Sequence, residues 1–176
     1  MAIPLSRGNP DTNQLWVSVY SQKLESDALS RSDAGYYYSC GSLNELREIF
    51  DGLIRRQVRI SRLLFDTHGK PGQVDFGNQG LAVCNINGWL ESRNYEKVFN
   101  ANARIMCNGC NVGEGASGSA FLARMGQLLL GSGGIIKGWT SVGFASLTDG
   151  HVMHLWGDVK TITINRSGQV VSETLS

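Results

Sequence analysis

Two hydrophobic periods alternate along the chain. Short runs rich in β-branched, aliphatic and aromatic residues predict strands at Leu15–Tyr20, around Arg62–Asp66, at Arg104–Cys107 and at Gly134–Trp139. Helical spacing takes over between them. After Ser42, the positions Leu43, Leu46, Ile49, Phe50, Leu53 and Ile54 fall on one helix face, and Ser42 with Glu45 forms a capping box at its start. A second helix is predicted over Ser117–Leu130, with Phe121, Leu122, Met125, Leu128 and Leu129 as its stripe and Gly131 as its stop. A third helical pattern, Trp89–Phe99, is carried by Trp89, Leu90, Tyr95 and Phe99, with Asn87-Gly88 leaving its start undefined.

Weaker elements complete the order. A short strand is read at Tyr36–Tyr38, another at Gln73–Gly77 with a turn over Asn78–Gly80, and a terminal hairpin from Val159–Asn165 and Gln169–Glu173 about Arg166-Ser167-Gly168. Arg55 and Arg56 read as the solvated end of the first helix. Residues 1–13, polar with Pro4 and Pro10, read as a loose arm, and residues 14–176 as a single domain. Strands alternating with helices predict an α/β fold: a mostly parallel central sheet flanked by helices, plus the C-terminal β-hairpin.

Composition narrows the partners. A net charge of +1 from 16 basic and 15 acidic residues gives no field that would select nucleic acid or a membrane surface. No apolar run is long enough for a membrane span, and Met1–Pro10 lacks the charged start and apolar centre of a signal peptide. Four cysteines, Cys40, Cys84, Cys107 and Cys110, do not make a secreted disulfide framework in a chain able to build its own core. The expected setting is cytoplasmic, or export by a route without a cleaved signal peptide, with thiols reduced.

The chemistry gathers at two strand ends. The run Arg104–Cys107 passes through Asn108-Gly109 into Cys110 and then a glycine-rich opening before a helix, where the positive end of a helix dipole favours thiolate. Cys110 is therefore the candidate nucleophile. The run through Leu63, Leu64 and Phe65 ends in Asp66-Thr67-His68-Gly69, which delivers its tip to the carboxyl edge of the sheet. His68 is the candidate base, and the stretch between the two is long enough for a crossover between parallel strands. Asp66, two residues before His68 and on the same strand face, is the candidate orienter of the imidazole, against the plainer role of a turn acceptor.

An apolar strand ending in His-Gly, followed by a later one ending in a small residue and Cys, resembles the caspase-like cysteine peptidases. That group includes caspases, clostripain, gingipains, separases and toxin autoprocessing domains. The resemblance is carried by Leu63–Gly69 and Ile105–Cys110, more loosely by Gly134–Ser141; Asn108-Gly109-Cys110-Asn111 is similar to the Gly-Cys-Ser/Asn form of separase-like and bacterial members, and the Gln-Ala-Cys-Arg-Gly form of true caspases is absent. It implies a caspase-like sandwich and a thiol endopeptidase acting on a peptide or protein without a cofactor or metal. It also implies oxyanion donors from the backbone N–H groups of Gly69 and Cys110, and an extended substrate lying beside Gly138–Phe144. In that segment Trp139, Thr140 and Ser141 are the substrate-binding candidates, offering an apolar wall and two hydroxyls.

Three other readings compete. A caspase-like fold kept for binding or scaffolding, or dependent on an activator or protein partner, would use the same framework with weak catalysis. Cys107-Asn108-Gly109-Cys110 is also a C-x-x-C before a helix, as in thiol-disulfide redox proteins, although all three prolines precede it and such folds need a downstream cis-proline. Zinc on Cys107 and Cys110 with His151 and His154 fits poorly, because strand period would send the two imidazoles to opposite faces. His151 and His154 read as ordinary strand or loop residues.

Overall fold

The computed structural model describes residues 4–7, 16–21, 36–77, 79–145 and 152–176. Strands β1 (Pro4–Arg7), β2 (Trp16–Ser21) and β3 (Tyr36–Cys40) come first, and helix α1 (Leu43–Arg55) follows. Next are β4 (Ile60–Asp66) and a small antiparallel sheet of β5 (His68–Lys70), β6 (Gln73–Phe76) and β7 (Gln79–Ala82). Helix α2 (Val83–Leu90) then leads through two short 3-10 turns into β8 (Phe99–Cys107). Helix α3 (Gly115–Leu129), β9 (Gly134–Trp139), the two-residue strands β10 (Phe144–Ala145) and β11 (Val152–Met153), and the hairpin β12 (Val159–Ile164) with β13 (Val170–Leu175) complete the order.

Among the described residues, eight strands form one sheet in the order β1-β3-β2-β4-β8-β9-β12-β13. The ladders β2/β3, β2/β4, β4/β8 and β8/β9 are parallel, while β1/β3, β9/β12 and β12/β13 are antiparallel. The fold is therefore mixed α/β with a parallel centre and antiparallel margins. Residues Pro4–Arg7, inside the expected loose arm, pair with β3 as an edge strand; the rest of that arm, and the connection between β2 and β3, lie outside the described residues.

Register explains the core. Leu63, Ile105, Ile136 and Ile162 stand directly across from one another on β4, β8, β9 and β12, and all four are buried. Alternate side chains of central strands share one face, so this row meets the helices. Helix α1 buries Leu43, Leu46, Ile49, Phe50 and Leu53, and α3 buries Phe121, Leu122, Met125 and Leu129. Helix α2 touches both α1 and α3. On the opposite sheet face, Arg62, Leu64, Arg104, Met106, Ile135 and Lys137 line a shallow groove.

Capping follows the sequence at α1: Ser42 Oγ accepts from the Glu45 N–H at 3.2 Å, and Glu45 Oε2 accepts from the Gly41 N–H at 2.7 Å. Arg56 is not simply solvated, since its guanidinium donates to the Tyr38 hydroxyl at 2.9 Å. The expected helix Trp89–Phe99 is displaced. The helix runs over Val83–Leu90, and the strand expected to begin at Arg104 begins at Phe99. Asn85 decides the start: its side-chain oxygen accepts from the Ala82 N–H at 2.9 Å and its amide donates to the Gly80 carbonyl at 2.8 Å, so helix entry falls just after β7. Asn94, left-handed at φ 52°, separates the two short turns that follow. Likewise β7 occupies positions expected to complete a turn after Asn78. At the C-terminus, Asn165 Oδ1 accepts from the Ser167 and Gln169 N–H groups at 2.9 and 3.0 Å and closes the expected hairpin.

Candidate active site

Strand adjacency builds the site. Phe65 and Cys107 are register partners near the carboxyl ends of β4 and β8, and the Asn108 N–H donates to the Phe65 carbonyl at 2.8 Å, extending the ladder by one step. Whatever follows each strand must then meet. A methyl group placed on Gly109 would come within 3.1 Å of the Thr67 carbonyl and 3.2 Å of Gly69 Cα, and one on Gly69 within 3.2 Å of the Cys110 carbonyl. The segments carrying His68 and Cys110 are thus in backbone contact, at a separation only glycine allows. His68 is exposed, and Cys110 is half-buried.

The hairpin of β5 and β6 leans over the same turn. Gly72, at φ 73°, donates its N–H to the Val112 carbonyl at 3.1 Å, which ties the residues after His68 to those after Cys110. Cys110 itself stands on a turn rather than at a helix start. Asn111 adopts φ 55°, its carbonyl accepts from the Glu114 N–H at 2.9 Å, and α3 begins only at Gly115. A helix dipole acts over its first turn, so the expected placement of the thiol at the helix terminus is corrected: the intervening turn separates them.

The thiol is held from the other side by the loop after β9. The Gly143 N–H donates to Cys110 Sγ at 3.3 Å, and Sγ donates to the Gly143 carbonyl at 3.4 Å. Once the thiol loses its proton only the first of these bonds can persist, because a thiolate and a carbonyl oxygen repel. The Asn111 N–H donates to the Ser141 carbonyl and the Gly113 N–H to the Trp139 carbonyl, each at 2.8 Å, so residues 139–143 run as a strap along the cysteine turn.

The groups expected to meet a substrate are engaged by the chain itself. Trp139 stacks on His154 with ring centroids 4.4 Å apart and planes 7° from parallel. Ser141 Oγ lies 3.1 Å from His154 Nδ1, and the Thr140 hydroxyl donates to the Asp158 carbonyl at 2.9 Å and accepts from the Asp158 N–H at 3.1 Å. A loop crossing a sheet edge has polar groups to satisfy, and the Thr140 and Ser141 hydroxyls find partners within the chain. Burial lowers the pKa of the His154 imidazole from its ordinary value, favouring the neutral ring.

Asp66 is buried and accepts from the Asn108 side-chain amide at 3.0 Å. That bond bridges the ends of β4 and β8. Cys107 is fully buried in the sheet, and desolvation pushes its thiol far above the ordinary range. Its thiol is free, as are those of Cys40, Cys84 and Cys110. A buried protonated thiol is a poor partner for disulfide exchange. Among the described residues no group of three or more His, Cys, Asp or Glu could hold a metal ion, and no helix is long and apolar enough to cross a membrane. His151 lies outside the described residues.

Two contributors escaped the sequence reading. Gly143 lies in the segment proposed for substrate, yet nothing in its spacing announces an N–H on the thiol. His154 stood in an apolar run as an ordinary residue, and only its stacking on Trp139 reveals a role.

The sequence matches the family described as Domain of unknown function (DUF4347) over residues 21–132. The chain belongs to this family. The matched region runs from the end of β2 past α3 and so holds both His68 and Cys110, while the strap and its His154 support lie beyond it. No curated protein and no solved structure matches the chain.

Proposed function

We propose that this DUF4347 member is a caspase-like cysteine endopeptidase in which Cys110 is the nucleophile and His68 the general base and acid. The observation that carries the reading is the backbone contact of Thr67–Gly69 with Gly109–Cys110 at the carboxyl edge of the parallel strands β4 and β8. A thiol and an imidazole on adjoining segments are the two groups that this kind of nucleophilic catalysis uses. In the reaction His68 takes the Cys110 proton as sulfur bonds to the scissile carbonyl carbon, and the imidazolium then protonates the leaving amine as the C–N bond breaks. Water adds to the resulting thioester, and the thiol departs with the returned proton. The Gly69 and Cys110 N–H groups are the proposed oxyanion donors, joined by Gly143, whose N–H already faces sulfur. The peptide lies along the strap, beside Trp139, Thr140 and Ser141.

One observation favours activator dependence over a constitutively open enzyme. Gly143 bonds the thiol through both its N–H and its carbonyl, so the strap must shift before a scissile carbonyl can reach sulfur. A catalytically weak binding or scaffold protein would keep that closed arrangement. A screen of fluorogenic peptides differing at P1, run on the wild type and Cys110→Ala, separates these readings. Cleavage abolished in the variant supports the peptidase; equal cleavage by both overturns it. Thiol labelling faster at Cys110 than at the exposed Cys84 counts against a scaffold.

A further inference from the structure

His154 stands apart from the proposed catalytic pair and is held more closely than an ordinary loop residue. One ring face lies on Trp139, nearly parallel, and its Nδ1 meets the Ser141 hydroxyl. Its Nε2 is buried with no hydrogen-bond partner, so the ring gives up one polar contact to keep the other two. Both residues it touches hand their backbone carbonyls to the cysteine turn, Trp139 to the Gly113 N–H and Ser141 to the Asn111 N–H. Two residues beyond Ser141, Gly143 closes on sulfur. The Trp139 indole N–H is likewise buried without a partner, so the stack and not a hydrogen bond fixes that ring.

The path from imidazole to thiol is therefore short and continuous: His154 to Ser141 and Trp139, these to the turn at Asn111–Gly113, and the same strap to Cys110. On the other side of the strap Asp158 pins Thr140 through backbone groups that a substitution of His154 leaves in place. His154 supplies side-chain contacts to two strap residues at once.

We infer that His154 is a positioning residue that sets how tightly the strap 139–143 closes on Cys110, and hence how accessible the thiol is. This rests on Cys110 being the working thiol of the proposed peptidase, but the strap contact exists whether or not peptides are cleaved. A ring that holds the strap down shields sulfur in the resting protein and seats the substrate-side backbone during turnover. Its removal should therefore raise access at Cys110 and weaken substrate binding together, whereas general loss of stability would also expose the buried Cys40 and Cys107.

The test is alkylation by iodoacetamide, read by mass spectrometry as the Cys110 rate relative to the exposed Cys84 in the same molecule. Losing one hydrogen bond and one ring stack should raise that ratio about tenfold in His154→Ala. His154→Phe, which keeps the stack, and His154→Gln, which keeps a group able to reach Ser141, should fall between this variant and the wild type. If His154→Ala exposes the buried Cys40 and Cys107 to alkylation, it has unfolded, and the Phe and Gln variants then decide, with faster amide exchange across residues 139–143 as the second expected readout. On any peptide the wild type cleaves, the variants should raise KM more than they lower kcat. A Cys110 to Cys84 ratio and strap exchange unchanged in all folded variants would overturn the assignment. Absence of cleavage by the wild type would overturn the peptidase reading and leave the alkylation result to decide on His154.

Discussion

The two flanks of Cys110 are built in opposite ways. On the histidine side, Thr67–Gly69 and Gly109–Cys110 approach through backbone atoms at 3.1–3.2 Å from where a Cβ would stand, with the Val112 side chain packed against both glycines. On the strap side, residues 139–143 add to their backbone bonds with the cysteine turn and Asp158 a set of side-chain clamps: an imidazole, an indole and two hydroxyls. Backbone contact between two strand ends is rigid because moving it would break the β4/β8 ladder. Side-chain clamps can be released one rotamer at a time. On the proposed reading, the pairing of base and nucleophile belongs to the first flank, and access to the second.

The sharpest break in that comparison is His68→Ala. If His68 is base and acid, peptidase activity should fall at least about a thousandfold while the fold persists, because nucleophile and base act as a unit. Circular dichroism and the peptide assay together check it. Retained turnover would transfer the base role elsewhere and leave the rigid flank without a chemical purpose.

Gly69→Ala attacks the backbone contact itself. The added methyl meets Val112 Cγ2 at 2.6 Å and the Gln73 and Cys110 carbonyls at 3.0 and 3.2 Å, so the two turns must separate. Overpacking of this kind costs about 1–3 kcal/mol, read from the denaturant midpoint, and turnover should fall with it. A silent substitution would mean the histidine flank is as pliable as the strap.

Cys107→Ser tests the division between the sheet and the turn. A hydroxyl without a partner in the row of Phe65, Cys107 and Gly138 should cost about 1–3 kcal/mol of stability and leave kcat unchanged. A reversible Cys107–Cys110 disulfide together with lost activity would instead point to redox chemistry.

Asp66→Asn carries the smallest expected effect. The new amide oxygen can still accept from Asn108, so stability should stay within about 1 kcal/mol and kcat close to wild type. A fall in kcat of about a hundredfold or more would restore Asp66 as the orienter of His68.

How much of this was legible in the sequence differs element by element. Helix α1 was readable because its cap, its stripe and its stop agree, and β9 because an apolar run between glycines has few alternatives. Helix α2 was misplaced because two asparagines, Asn85 and Asn94, set the helix start and the turn beyond it through local contacts that period alone does not reveal. Edge strand β1 was missed since an edge strand needs little burial, and its partner β3 lies far along the chain.

By itself the sequence determined the composition of the site: a His-Gly after one apolar strand, a Gly-Cys after another, and a glycine-containing segment downstream. These are local facts, fixed by hydrophobic period and turn chemistry. Only the tertiary structure decided that β4 and β8 are neighbours, that Asp66 spends its carboxylate on Asn108, and that Trp139, Thr140 and Ser141 turn inward to His154 and Asp158. Those choices depend on strand order and on which polar groups must be satisfied where a loop crosses the sheet edge. Both are set by pairings between distant parts of the chain, where one-dimensional spacing carries no signal.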